Sequence, residues 1–210
     1  QDRWADLPLR MASAIVLLLC FSAALYFDRA GVLTLGLVAV VAMQWELARM
    51  FGLKGWRLLA VPLLAGLGWL PLVIQSLFLT PSLFLAAVAG FLPIVLGTVF
   101  IAHNRMLYIG YGALLAVGIL AFWSLALTFG VIGVVILAIV VILSDIGGYI
   151  AGRLIGGAKF WPAASPKKTW SGTAAGWVFA GLFGLYLMQV TGVSWSVPVA
   201  ILVAFGAQMG

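Results

Sequence analysis

Ser144 to Gly172, reading SDIGGYIAGRLIGGAKFWPAASPKKTWSG, is where charge, glycine and hydroxyl groups collect in an otherwise apolar chain. Asp145 breaks an apolar run that extends from Val131 to Leu143. A carboxylate in a spanning helix costs roughly 2.5–3.5 kcal/mol on insertion scales, so its presence there points to function. On a helix of about 3.6 residues per turn, Asp145, Gly148, Gly152 and Gly156 share one face, with Tyr149 and Arg153 alongside. Small residues at this spacing let a second backbone or a ligand come close. Arg153 lies two turns on, roughly 12 Å along an unbroken axis, too far to neutralise Asp145 directly. The partner of Asp145 is therefore expected from another helix or from a cation.

The second half of the stretch follows a different logic. Ser165 and Pro166 predict a helix start, with Ser165 as the N-cap and Pro166 in the first helical position. Lys167 and Lys168 then fall in the first turn, where the helix dipole disfavours cations, and a bound anion would relieve the conflict. Free backbone NH groups, two ammonium groups and the hydroxyls of Ser165, Thr169 and Ser171 would make a phosphate cradle. A cytoplasmic loop rich in Lys and Arg accounts for the same lysines without any ligand.

These residues must be positioned by membrane helices. Of the 210 residues 65% are hydrophobic and 8% are charged, against about 25% charged in a soluble domain. The composition predicts a single polytopic membrane domain over 1–210. The net charge of +6 fits basic loops facing anionic lipid headgroups. No basic and aromatic residues interleave on a polar surface, which excludes nucleic acid as a partner. With one cysteine, Cys20, and one histidine, His103, neither an intrachain disulfide, a zinc cluster nor a Cys/His nucleophile pair can be built. His103, beside Asn104 and Arg105, reads as an interfacial loop residue.

Eight apolar segments follow in order, at about 11–27, 31–50, 57–77, 81–101, 106–127, 131–150, 172–190 and 196–210. The expected fold is all-α, a transmembrane helical bundle of about eight spans. Pro62 and Pro71 predict a kinked or re-entrant third segment. With a cytoplasmic N-terminus, ten of the eleven basic residues lie on the inner side, only Arg29 falling outside; that asymmetry sets the orientation. It places a substrate-binding loop, 151–171, in the cytoplasm, and puts Asp145 and Glu46 towards the same membrane face. Glu46 is equally explained by a contact with Arg49, three residues on. Trp4, Trp45, Trp56, Trp161, Trp170 and Trp195 sit near segment ends, as interfacial belts require, whereas Trp69 and Trp123 do not.

SDIGGYIAGRLIGGAKFWPAASPKKTWSG resembles the pattern of phosphatidate cytidylyltransferases, the CDP-diacylglycerol synthases. In that family an Asp with small residues and a Tyr precedes a Gly-Arg step and a Ser-Pro-Lys-Lys-Thr-Trp motif. MQWELARMFG, Met43 to Gly52, is similar to the family's Trp-Glu stretch. The resemblance implies transfer of CMP from CTP to phosphatidate, releasing pyrophosphate, in phospholipid biosynthesis at the cytoplasmic face of a bacterial inner membrane. It implies Mg2+ as cofactor, with Asp145 holding the metal or the groups around it. Lys167 and Lys168 would contact phosphates and Ser165 and Thr169 would donate hydrogen bonds. Arg153 would serve an anionic headgroup or nucleotide phosphate, with Tyr149 beside it.

Two departures shape the expectation. Ser171 stands where the family usually has an acid after the motif's Trp. After the motif, where the family carries its Lys-Asp, Gly-His-Gly-Gly and Asp-Arg elements and most of its metal ligands, the 210 residues hold none of them. The chain is thus expected to be a C-terminally truncated piece of an active enzyme, or inactive if whole. Competing readings are a membrane transporter or lipid-binding scaffold, a CTP-dependent lipid kinase, and a synthase acting on archaeal ether lipids. The face of Gly148, Gly152 and Gly156 could pack within one chain or form a homodimer.

Overall fold

The computed structural model describes residues 7–78, 83–101, 104–162 and 165–209. Seven helices and one small ladder cover them: α1 (Leu7–Tyr26), α2 (Asp28–Met50), α3 (Trp56–Phe78), α4 (Leu83–Gly97), α5 (Arg105–Leu154), β1 (Lys159–Trp161), β2 (Ser165–Thr169), α6 (Trp170–Thr191) and α7 (Ser196–Met209). The all-α expectation holds, with the β1–β2 hairpin as an addition. His103 lies outside the described residues. Pro62 and Pro71 both sit inside α3, which remains one helix from Trp56 to Phe78.

Four helices, α2, α3, α5 and α6, are long and apolar enough to cross a membrane. Large apolar side chains stand exposed along them, among them Leu63, Leu67, Leu114 and Leu182. In water such a surface would drive association; against lipid tails it is the expected exterior. The protein is a multi-pass membrane protein.

At 1.5 Å per residue the 50 residues of α5 would run about 75 Å, more than twice a hydrocarbon core of about 30 Å. Gly130 divides it. Its φ of 62° and ψ of −153° are non-helical and lie in a region almost confined to glycine. The two apolar segments expected on either side of residues 128–130 are therefore the two halves of α5.

Contacts separate the chain into two compact units, one from Leu7 to Val134 and the other from Val135 onward. In the first, Val32, Leu33, Val40, Ala65, Leu72 and Ala126 form a buried core around Trp69 and Trp123. Those two indoles, misplaced for interfacial anchors, meet edge to face at 5.4 Å. At another level of the unit, Leu47, Val61, Ile94 and Tyr108 build a second cluster, with Phe51 against Tyr108 at 5.3 Å. The second unit packs Val140 of α5 with Ala180 of α6 and Ala200 and Ala204 of α7.

Candidate active site

The polar stretch lies wholly in the second unit, and glycine lets it close up. A Cβ on Gly172 would sit 2.6 Å from the Gly148 carbonyl oxygen and 3.2 Å from the Gly152 Cα. The end of α5 and the start of α6 are therefore in backbone contact, and the small-residue face of Gly148 and Gly152 is used within the chain. Gly156 does something else: with a φ of 66° it follows α5 in the left-handed conformation that commonly terminates helices.

From there the chain turns into the antiparallel hairpin, Lys159 opposite Thr169 and Trp161 opposite Ser165. This corrects the expected helix start. Ser165 opens a strand, not a helix, and the N-cap of α6 is Thr169, whose side chain accepts the Gly172 NH at 3.2 Å. Pairing with β1 has overridden the local Ser-Pro signal, because strand pairing satisfies the backbone before the helix begins. The lysines thus precede the helix. The described residues between 151 and 171 comprise the last turn of α5, the strands β1 and β2 and the first residues of α6.

The hydroxyls at the cap form a closed chain. Ser171 donates to the Gly156 carbonyl at 2.5 Å, so in its 3.1 Å contact with Thr169 it must accept. Thr169 spends its only proton there and one lone pair on the Gly172 NH. Ser171, through the Gly156 carbonyl, fastens α6 to the end of α5. Trp170 adds a backbone bond from its NH to the Ala158 carbonyl at 3.0 Å, and its ring stands edge-on to Phe160 at 4.6 Å.

Among the residues singled out in the sequence, Asp145 and Lys168 are brought to one joint: Lys168 Nζ donates to the Gln208 carbonyl, and Gln208 Nε2 donates to Ser144, next in sequence to Asp145. Asp145 is exposed and Lys168 half-buried. Lys167, one residue back on the strand, is exposed and directed to the opposite side, as strand alternation requires. Ser165 is half-buried at the far end of β2. Arg153 lies over the Tyr149 ring, 4.7 Å from its centroid, Tyr149 one turn and Arg153 two turns after Asp145 on α5. Glu46 belongs to the other unit, where it pairs with Arg49 at 3.8 Å in an exposed i, i+3 contact.

Two residues went unmarked in the sequence. Ser144 is fully buried and accepts a hydrogen bond from Gln208 Nε2 at 2.9 Å. Lys168 Nζ in turn donates to the Gln208 main-chain carbonyl. The signal available for Gln208 was its polarity within an apolar final segment, where an amide is expected to bond across helices.

No group of three or more His, Cys, Asp or Glu side chains that could hold a metal occurs among the described residues. Asp145 is the sole carboxylate in the described part of its unit. It does not make a magnesium site unaided; it fits the single-carboxylate share that Mg2+ takes when substrate phosphates and water complete the shell.

Residues 8–210 match the model of the cytidylyltransferase family. The chain belongs to that family. A phosphatidate cytidylyltransferase of Brucella suis biovar 1 (strain 1330) is 43% identical over 86 residues, 39% of this chain and 32% of the relative. One from Helicobacter pylori (strain ATCC 700392 / 26695) is 35% identical over 71 residues, 34% of this chain and 26% of the relative. A third, from Rickettsia bellii (strain RML369-C), is 55% identical over 38 residues, 18% and 16% of the two chains. The matched stretch spans about a third or less of each relative's length. No solved structure matches the chain.

Proposed function

We propose that this protein transfers CMP from CTP to phosphatidate, giving CDP-diacylglycerol and pyrophosphate in phospholipid biosynthesis. The observation that carries the reading is the joint of α5, β2 and α7, where Gln208 takes the Lys168 ammonium on its carbonyl and bonds Ser144, next in sequence to Asp145, in a member of the cytidylyltransferase family. A phosphate oxygen of the lipid attacks the α-phosphorus of CTP. The bond from that phosphorus to the bridging oxygen breaks, and pyrophosphate leaves with the electron pair.

Charge accumulates on the phosphoryl oxygens, so fixed cationic donors lower the barrier. Lys168, held on one side by the Gln208 carbonyl, is placed to contact those oxygens. Lys167, exposed on the same strand, gathers nucleotide phosphate from solvent. Arg153, steadied on Tyr149, serves an anionic headgroup or nucleotide phosphate. Ser165 is the hydroxyl on the hairpin left to donate, since Thr169 is committed to the cap. Asp145 is the carboxylate that would hold Mg2+, which would supply positive charge to neutralise the CTP phosphates and make the α-phosphorus more electrophilic. We place the site on the cytoplasmic face of a bacterial inner membrane, where CTP is dissolved and the phosphatidate headgroup reaches the interface.

The test uses purified protein with phosphatidate, Mg2+ and CTP labelled at either the α- or the γ-phosphate. Label from the α position is expected in the lipid product and label from the γ position in pyrophosphate. Asp145→Asn and Lys168→Ala should each lower kcat/KM by about 10²–10³-fold, the range for removing one preorganised charge-stabilising group, with Lys167→Ala the milder change. Label from the γ position in the lipid would identify a lipid kinase and overturn the reading.

A further inference from the structure

We propose that Gln208 is the positioning residue of this site, holding Lys168 in register with Asp145; the proposal rests on the cytidylyl-transfer reading above. Gln208 sits in apolar α7 and is 8% exposed. It grips both sides of the site at once. Its amide Nε2 donates to Ser144 Oγ at 2.9 Å, next in sequence to Asp145, while its main-chain carbonyl takes the Lys168 ammonium. The side chain therefore pins α7 against α5, and the pinned backbone fixes where Lys168 ends.

The pocket for this amide is kept clear by glycine. A Cβ on Gly176 would stand 1.9 Å from Gln208 Nε2 and 2.8 Å from the Ser144 carbonyl oxygen. No other residue fits there without expelling the amide. Stability does not explain the arrangement, because Gln208 Oε1 is buried without a hydrogen-bond partner among the described residues. A buried amide satisfied on one side only is worse than an apolar side chain of the same size. The residue is thus placed for what it holds.

That reasoning separates positioning from a structural role. Leucine at 208 removes the unsatisfied oxygen, and Ser144 can turn its hydroxyl to the carbonyl four residues back in α5. In the phosphatidate assay with Mg2+ and CTP, Gln208→Leu is expected to leave Tm unchanged or raised while kcat/KM falls at least about tenfold, one factor of ten being 1.36 kcal/mol of barrier. Gly176→Ala, acting from another helix, should repeat the kinetic loss. Added to Lys168→Ala, Gln208→Leu should cost nothing further, since both act through one ammonium. Wild-type kcat/KM in Gln208→Leu, a loss that tracks a fall in Tm, or losses that multiply with those of Lys168→Ala would each overturn the proposal. Absence of CDP-lipid with the unmodified protein would instead sink the reading it rests on. In that event the Tm coupling between Asp145→Asn and Lys168→Ala decides: its disappearance in the Gln208→Leu background supports positioning, and its persistence refutes it.

Discussion

Gly172 shows how little room the site leaves at the level of single residues. The neighbours a Cβ would meet are the Gly148 carbonyl and the Gly152 Cα, both main-chain atoms that cannot rotate aside. Overpacking of this kind costs about 1–3 kcal/mol, so Gly172→Ala is expected to lower unfolding stability by that amount in detergent. Gly118→Ala is the control: nothing lies within 4 Å of a Cβ there, and alanine is the better helix former. Equal stability of the two variants would show that the α5–α6 contact is loose. That Asp145 needs a partner from elsewhere was readable, because a carboxylate in an apolar run demands a counter-charge, but the sequence pointed to another helix or a cation, whereas the lysine near it stands on β2. Which lysine answers was not readable, because Lys167 and Lys168 differ only in the side of a strand they occupy, and the sequence pattern spoke for a helix.

Among the elements, α5 carries the sharpest sequence signal and the sharpest constraint. Its break depends on Gly130, where nothing crowds a Cβ, so the cost of substitution is conformational alone. Gly130→Ala should destabilise the protein by about 1–3 kcal/mol, the cost of a residue forced into a sparsely populated backbone region, measured by unfolding in detergent. A neutral effect would mean that the two halves tolerate a continuous helix. The segment pattern was legible because polar or flexible residues punctuate it, Asp28 and Arg29, then Gly52 to Gly55, then Asn104 and Arg105. Short-range rules failed at the hairpin. Ser165 and Pro166 carry a helix-start signal, yet the pairing with Lys159 to Trp161 depends on chain that has already turned back at Gly156 and Gly157, both at positive φ. The polarity of Gln208 was visible in the sequence but its partners were not, for a related reason: they lie 64 residues away on α5 and 40 away on β2.

For the whole molecule the question is which face of the membrane the site occupies, because CTP is a multiply charged anion that does not cross a bilayer unaided. The expectation comes from the basic residues. Lys54 and Lys167 belong to the ten basic residues assigned to one side by the apolar segments, and Arg29, at the start of α2, stands alone on the other. Positive residues are retained on the cytoplasmic side, so Lys54 and Lys167 are expected inside and Arg29 outside. Cys20 is the sole cysteine, so replacing it with serine gives a background in which Arg29→Cys, Lys54→Cys and Lys167→Cys can each be labelled separately. A membrane-impermeant maleimide applied to intact spheroplasts should modify Arg29→Cys alone, and the other two only after permeabilisation. The opposite labelling would put Lys168 and Asp145 on the side without nucleotide, and cytidylyl transfer from CTP would then have no substrate to work on, whatever the geometry of the site.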